Sequence, residues 1–201
     1  MRRFRSLVTF ATLLIGAEGG LPAAMAQTRP RVVEIRLDMM IHHVSAEFVM
    51  RGIKSANDSH ADAVLLELNT PGGLENSMRD IVSAILNSSV PVITYVAPSG
   101  ASAASAGFFV LEAGDLAVMA PGTNSGAAHP VVLGGADIGK TMEGKIENDA
   151  AAYMRSIAGK RGRNTTLAED AVRKSSSYTD KEALDGKLID AVLSSPADIF
   201  E

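Results

Sequence analysis

Ala63-Val64-Leu65-Leu66-Glu67-Leu68-Asn69-Thr70-Pro71-Gly72-Gly73-Leu74 is the stretch from which the rest of the chain is read. Its first six residues are a short apolar run broken only by Glu67, as in a buried strand. Asn69 to Gly73 is a breaker cluster that ends the run. From Leu74 to Leu86 the apolar residues return at helical offsets, with Met78, Ile81, Val82 and Ile85 on one face. Strand, glycine turn and helix form one half of a parallel crossover, and the same alternation extends in both directions. Upstream, Val32 to Leu37 alternates as a strand, and residues 44–59 suit a helix with Phe48, Val49 and Ile53 on one side. Downstream, Val90 to Val96 is a strand stopped by Pro98-Ser99-Gly100, and Leu116 to Met119 is another.

Thr123 to Lys140 has many Gly and Ala and few periodic apolar positions, which predicts a loop. Lys145 to Ala158 reads as a helix carrying Ile146, Ala150, Tyr153, Met154 and Ile157 along one face. Thr166 to Lys174 is a second short helix. Thr179 opens a third, with Glu182 completing a capping box. Gly186 stops that helix, and Leu188 to Val192 returns as a strand. The order predicts an α/β fold, a mostly parallel sheet with flanking helices.

Composition narrows the function. The 201 residues suffice for one well-buried domain. Aromatics are 4%, Trp is absent and the net charge is −4, which argues against a nucleic-acid face. Without cysteine there is neither a disulfide framework nor a thiol nucleophile. Residues 1–26 carry Arg2, Arg3 and Arg5, then the apolar run Leu7 to Ala17, then Ala24-Met25-Ala26. That is the pattern of a secretory signal peptide, with an apolar run too short for a stable membrane span. The expected organisation is a signal over 1–26 and one domain over 27–201, with no membrane span in the latter.

Three segments invite chemistry, each with an ordinary alternative. The Gly72-Gly73 turn can aim backbone N–H groups at an anion or a developing oxyanion, or it can simply be a tight turn. Gly100-Ala101-Ser102-Ala103-Ala104-Ser105-Ala106-Gly107 places serines among small residues at a helix start, where a hydroxyl is accessible or merely satisfies its own backbone. Lys145 heads its predicted helix, where burial and the positive helix end would favour the neutral amine; the alternative is a surface pair with Asp149. The four histidines show no zinc-binding spacing, and neither a phosphate-binding loop nor a dinucleotide fingerprint occurs. No metal or cofactor is expected. His129 pairing with Ser105 is the alternative base.

Taken together, Leu68 to Gly73, Ser99 to Gly107, Met119 to Val131, Lys145 to Asp149, Arg161 to Asn164 and Glu182 to Leu184 resemble the N-terminal protease domain of the NfeD-type membrane-bound serine proteases. These belong to the Clp protease/crotonase-like fold. The resemblance implies Ser105 as nucleophile, Lys145 as general base, and oxyanion donors at the Gly72-Gly73 turn and the Ala106 N–H. It also implies a cleft bordered by the 123–140 loop and shaped by His129-Pro130. It further implies a peptide or membrane-protein substrate, such as a stomatin-like protein, and a homo-oligomer, while the signal-like segment 1–26 implies export, to the periplasm or to the outer face of the inner membrane. Two other functions fit the fold. One is a crotonase-like acyl-CoA enzyme, with Glu112 and Glu75 as its candidate carboxylates. The other is a non-catalytic scaffold for a membrane-protein partner.

Overall fold

The computed structural model describes residues 30–131 and 139–200. The signal-like segment 1–26 therefore lies outside the described residues. Five strands form one parallel sheet in the order β1 (Val32–Asp38), β2 (Ala63–Asn69), β3 (Val92–Val96), β5 (Leu116–Met119) and β8 (Ala191–Val192). The helices are α1 (His43–Asp58), α2 (Glu75–Leu86), α3 (Ala106–Ala113), α4 (Lys140–Lys160), α5 (Thr165–Arg173) and α6 (Asp180–Asp185).

β2 is apolar from Ala63 to Leu66 and again at Leu68 because both faces of the sheet are covered there, and Glu67 and Asn69 fall at its less buried end. Val64, Leu66 and Leu68 pack into the main core with the buried faces of α1 and α2, which include Val49, Ile53, Met78 and Ile81. Leu65 joins Ile93, Tyr95 and Val118 on the opposite face, where Leu193 and Ile199 of the C-terminal segment close over them. Tyr95 fixes that cover by donating its hydroxyl to the Leu193 carbonyl at 2.9 Å.

α1 begins at an unusual cap. His42 Nδ1 accepts from the Val44 and Ser45 N–H groups, and the Ser45 hydroxyl accepts from the His42 N–H. This satisfies helix N–H groups that have no acceptor within the helix. Phe48, expected on the inner side of α1, is instead 56% exposed. The buried stripe runs through Ser45, Ala46, Val49, Ile53 and Ala56, and Phe48 lies one position off it.

A second, small sheet joins β4 (Ser102–Ala104), β6 (Asn124–Gly126) and β7 (Ser177–Thr179). A bridge between Thr70 and Ala103 ties it to the end of β2. The predicted loop at Thr123–Lys140 thus contains a strand, and the predicted strand at Leu188–Val192 shrinks to its last two pairing residues. α6 starts as expected, with Thr179 and Glu182 in a reciprocal capping box.

α3 is buried throughout and apolar on every side except for Glu112. Its last turn is capped by the segment following α4. Arg163 donates to the Glu112 and Gly114 carbonyls at 2.6 and 2.9 Å, and Arg161 donates to the Ala113 carbonyl at 2.8 Å. The C-terminal end of this helix is thereby fixed, and its first residue sits beside the Gly72-Gly73 turn.

Candidate active site

Ser105 is the junction between β4 and α3. Its backbone lies at φ 54° and ψ −120°, a left-handed conformation that a residue bearing a side chain rarely adopts. The surroundings enforce it: the Ser105 N–H donates to the Gly126 carbonyl at 2.8 Å, and its carbonyl accepts from the Phe108 N–H at 3.0 Å. Its hydroxyl does not cap α3. A sharp strand-to-helix turn holding a serine hydroxyl with no hydrogen-bond partner among the described residues is the geometry a nucleophile needs. Ser102, the other serine in this run, lies within β4, and its carbonyl accepts from Thr70 N–H at 2.7 Å.

Gly72 presses directly against Ser105. Its φ is +108°, and a β-carbon there would stand 2.6 Å from Ser105 Cβ and 3.1 Å from the Ala106 nitrogen. At Gly73 a β-carbon would meet the Ile41 carbonyl oxygen at 2.0 Å. Close approach, more than turn geometry, accounts for this glycine pair. The two N–H groups have different fates. That of Gly72 donates to Thr70 Oγ1 at 3.1 Å, so Gly72 contributes space rather than a donor. Those of Gly73 and Ala106 have no hydrogen-bond partner among the described residues. The Ala106 N–H belongs to the first turn of α3, whose positive end adds to its pull on negative charge.

Ser105 opens into a cleft of about 450 Å³. Leu74 and Met78 form one wall, Ala128, Pro130 and Val131 another, and Ile146, Ala150 and Tyr153 of α4 a third. Phe109 stacks on Tyr153 with ring centroids 6.0 Å apart. Over the Tyr153 ring lies the Arg79 guanidinium, 4.3 Å from the centroid. Arg79 also donates to Glu75 at 2.9 Å and to Asp149 at 2.5 Å. Burial works against its charge, but the Glu75 hydrogen bond and the two carboxylates outweigh this and raise its pKa. The cleft is apolar, with its one arginine neutralised. Sequence reasoning missed Arg79, although its spacing of four from Glu75 on α2 was a readable sign of a helical ion pair.

α4 begins at Lys140, so Lys145 stands in its second turn rather than at its head. The helix-end potential invoked for it fades within the first turn and does not reach it. Lys145 is exposed, immediately before the cleft-lining Ile146. It has no ion pair among the described residues, because Asp149, its expected surface partner, is taken by Arg79. His129 faces away from Ser105's cleft: Nδ1 donates to the Val172 carbonyl of α5 at 2.9 Å, and neighbouring Ala128, Pro130 and Val131 line the cleft instead. The histidine anchors this strap; it does not form the wall.

Glu112 and Glu75 do not form a carboxylate pair. Glu112 is fully buried in α3, and burial pushes its pKa up to about 8, with Arg163 opposing and Asp190 adding to the rise. Glu75 reaches the cleft but is bound to Arg79. Among the described residues no cluster of His, Cys, Asp or Glu is arranged to hold a metal ion, and no helix is long and apolar enough to cross a membrane.

A protein-family model described as "NfeD1b, N-terminal domain" matches residues 31–198. The membrane-bound protease PH1510 of Pyrococcus horikoshii is 44% identical over 144 residues, which is 71% of this chain and 32% of that protein. This chain thus spans about a third of that relative's length. Two solved structures are similar. A serine-to-alanine mutant of the 1510-N membrane-bound stomatin-specific protease gives a TM-score of 0.79 at 36% identity, covering 86% of this chain and 84% of that one. A lysine-to-alanine mutant of the same domain, in complex with a substrate peptide, gives 0.78 at 35% identity, covering 85% and 78%.

Proposed function

This chain belongs to the NfeD1b N-terminal domain family, and from that premise we propose that it is a serine endopeptidase using Ser105 and Lys145. Ser105 Oγ attacks the peptide carbonyl while the neutral Lys145 amine takes its proton. The oxyanion that forms accepts hydrogen bonds from the Gly73 and Ala106 N–H groups. Lys145 then returns the proton to the departing amine, and water releases the acyl group.

The observation that carries this reading is the strained Ser105, its hydroxyl unengaged by α3, beside two unpartnered N–H groups at an apolar cleft. The apolar walls suit an apolar peptide segment. Relatives solved as serine and lysine mutants, one with a substrate peptide, support the same pairing. Because the related protease is named stomatin-specific, a stomatin-like membrane protein is the substrate we propose. Export by residues 1–26, action at the periplasmic face of the inner membrane, and assembly into a homo-oligomer complete the proposal.

The acyl-CoA reading is disfavoured by the positions of Glu112, sealed in the core, and Glu75, held by Arg79. Incubation with apolar peptides tests the protease directly. Wild type and Ser102→Ala should cleave them and Ser105→Ala should not; equal cleavage by Ser105→Ala would end the proposal, and cleavage by none would leave the scaffold reading.

A further inference from the structure

Lys145 and Asp149 are one helical turn apart, and side chains so spaced face each other. The residues three and four positions from Lys145 are Thr141, Met142, Asn148 and Asp149, so Asp149 is the one ionisable group among them. The same order of residues already pairs elsewhere in this chain: Lys54 binds Asp58 at 2.7 Å on the surface of α1. Asp149, by contrast, points to Arg79 of α2 at 2.5 Å, and Lys145 is left without an ion pair among the described residues. Arg79 is fixed for this task by Glu75 at 2.9 Å and by the Tyr153 ring beneath it.

We propose that Arg79 is a positioning residue that holds Asp149 away from Lys145 and so keeps the amine free to work as a base. This rests on the assignment of Lys145 made above. An adjacent carboxylate stabilises an ammonium and makes it a poorer base, while the positive Arg79 nearby acts in the opposite sense. The remaining charges around this part of α4 are occupied. Glu147 binds Arg173 at 3.0 Å, Glu169 binds Arg155 and Arg173 at 2.5 and 2.6 Å, and Asp170 binds Lys174 at 2.9 Å. Glu143, two residues before Lys145, lies on the far side of the helix. On α3 the single charged group is the buried Glu112, and His129 of the strap is turned to α5.

The test measures the titration of the Lys145 ε-methylene by NMR in lysine-labelled protein, assigned through Lys145→Arg, alongside kcat/KM against pH. Arg79→Met should move the Lys145 midpoint and the activity limb together to higher pH by about 0.15–0.4 unit, which is the roughly 0.2–0.5 kcal/mol of an exposed helical ion pair converted at about 1.4 kcal/mol per unit. Adding Asp149→Asn to Arg79→Met should reverse the shift. Asp149→Asn alone, in which Arg79 still stands, should leave the midpoint within roughly 0.1 unit of wild type, and this variant decides the matter if Arg79→Met does not fold. A change of KM with no change of midpoint, a shift that Asp149→Asn does not reverse, or a large shift in Asp149→Asn alone would overturn the proposal. The NMR midpoint reads Lys145 without reference to catalysis. Failure of the protease reading would show separately, as activity that survives Lys145→Ala.

Discussion

Replacing Glu112 with Gln should remove most of one acid-to-neutral pH dependence of stability. Both carboxyl oxygens of Glu112 lack a hydrogen-bond partner among the described residues, and its pKa rises from 4.5 to about 8 through burial, with Arg163 lowering it and Asp190 raising it further. A carboxyl whose folded pKa is raised keeps its proton in the native state while the unfolded chain ionises. Its contribution is therefore fully present below 4.5 and is lost progressively as pH rises toward 8. Each pH unit inside that window costs about 1.4 kcal/mol. Between about pH 5 and about pH 7.5 the wild type should lose about 3 kcal/mol that Glu112→Gln does not. Urea unfolding of both proteins across this range, with unchanged m-values, supplies the difference. Gln also leaves amide groups without partners, which shifts its whole curve; the slope of the difference is the diagnostic quantity. Parallel curves for the two proteins would refute a neutral, buried Glu112.

Gly72→Ala should cost activity more than stability, because the new β-carbon would stand 2.6 Å from Ser105 Cβ in a left-handed backbone. A loss of about 1–3 kcal/mol in unfolding free energy with near-complete loss of kcat is expected, and full activity would show that Ser105 tolerates displacement. Lys145→Arg should be inactive, since guanidinium keeps its proton at every accessible pH. His129→Ala should keep the wild-type pH profile while losing about 1 kcal/mol of stability with the Val172 hydrogen bond. An active Lys145→Arg beside a dead His129→Ala would transfer the base role to histidine.

The parallel sheet was legible because β2 and β3 are apolar runs punctuated by Pro and Gly and β1 alternates apolar with charged residues, and α6 was legible from Thr179 and Glu182. The small sheet was not. Ser102–Ala104, Asn124–Gly126 and Ser177–Thr179 are three residues each and carry no apolar alternation. Backbone pairing alone defines them. Ser105 could be singled out from its small neighbours, but its left-handed turn arises from pairing with Gly126, far along the chain. The Gly72-Gly73 pair was recognisable as a turn, whereas the division of labour between its two N–H groups depends on the Thr70 hydroxyl. Lys145 was misjudged as a helix head because Lys140 to Gly144 extend α4 by more than a turn before any regular apolar stripe begins.

Reaction with a fluorophosphonate tests the central claim most directly, because it reports an activated serine without requiring the natural substrate. Intact-mass measurement and peptide mapping should find one adduct on Ser105, absent from Ser105→Ala, retained in Ser102→Ala and formed far more slowly in Lys145→Ala. An unmodified wild type, an adduct on Ser102, or labelling indifferent to Lys145→Ala would contradict the Ser105–Lys145 account.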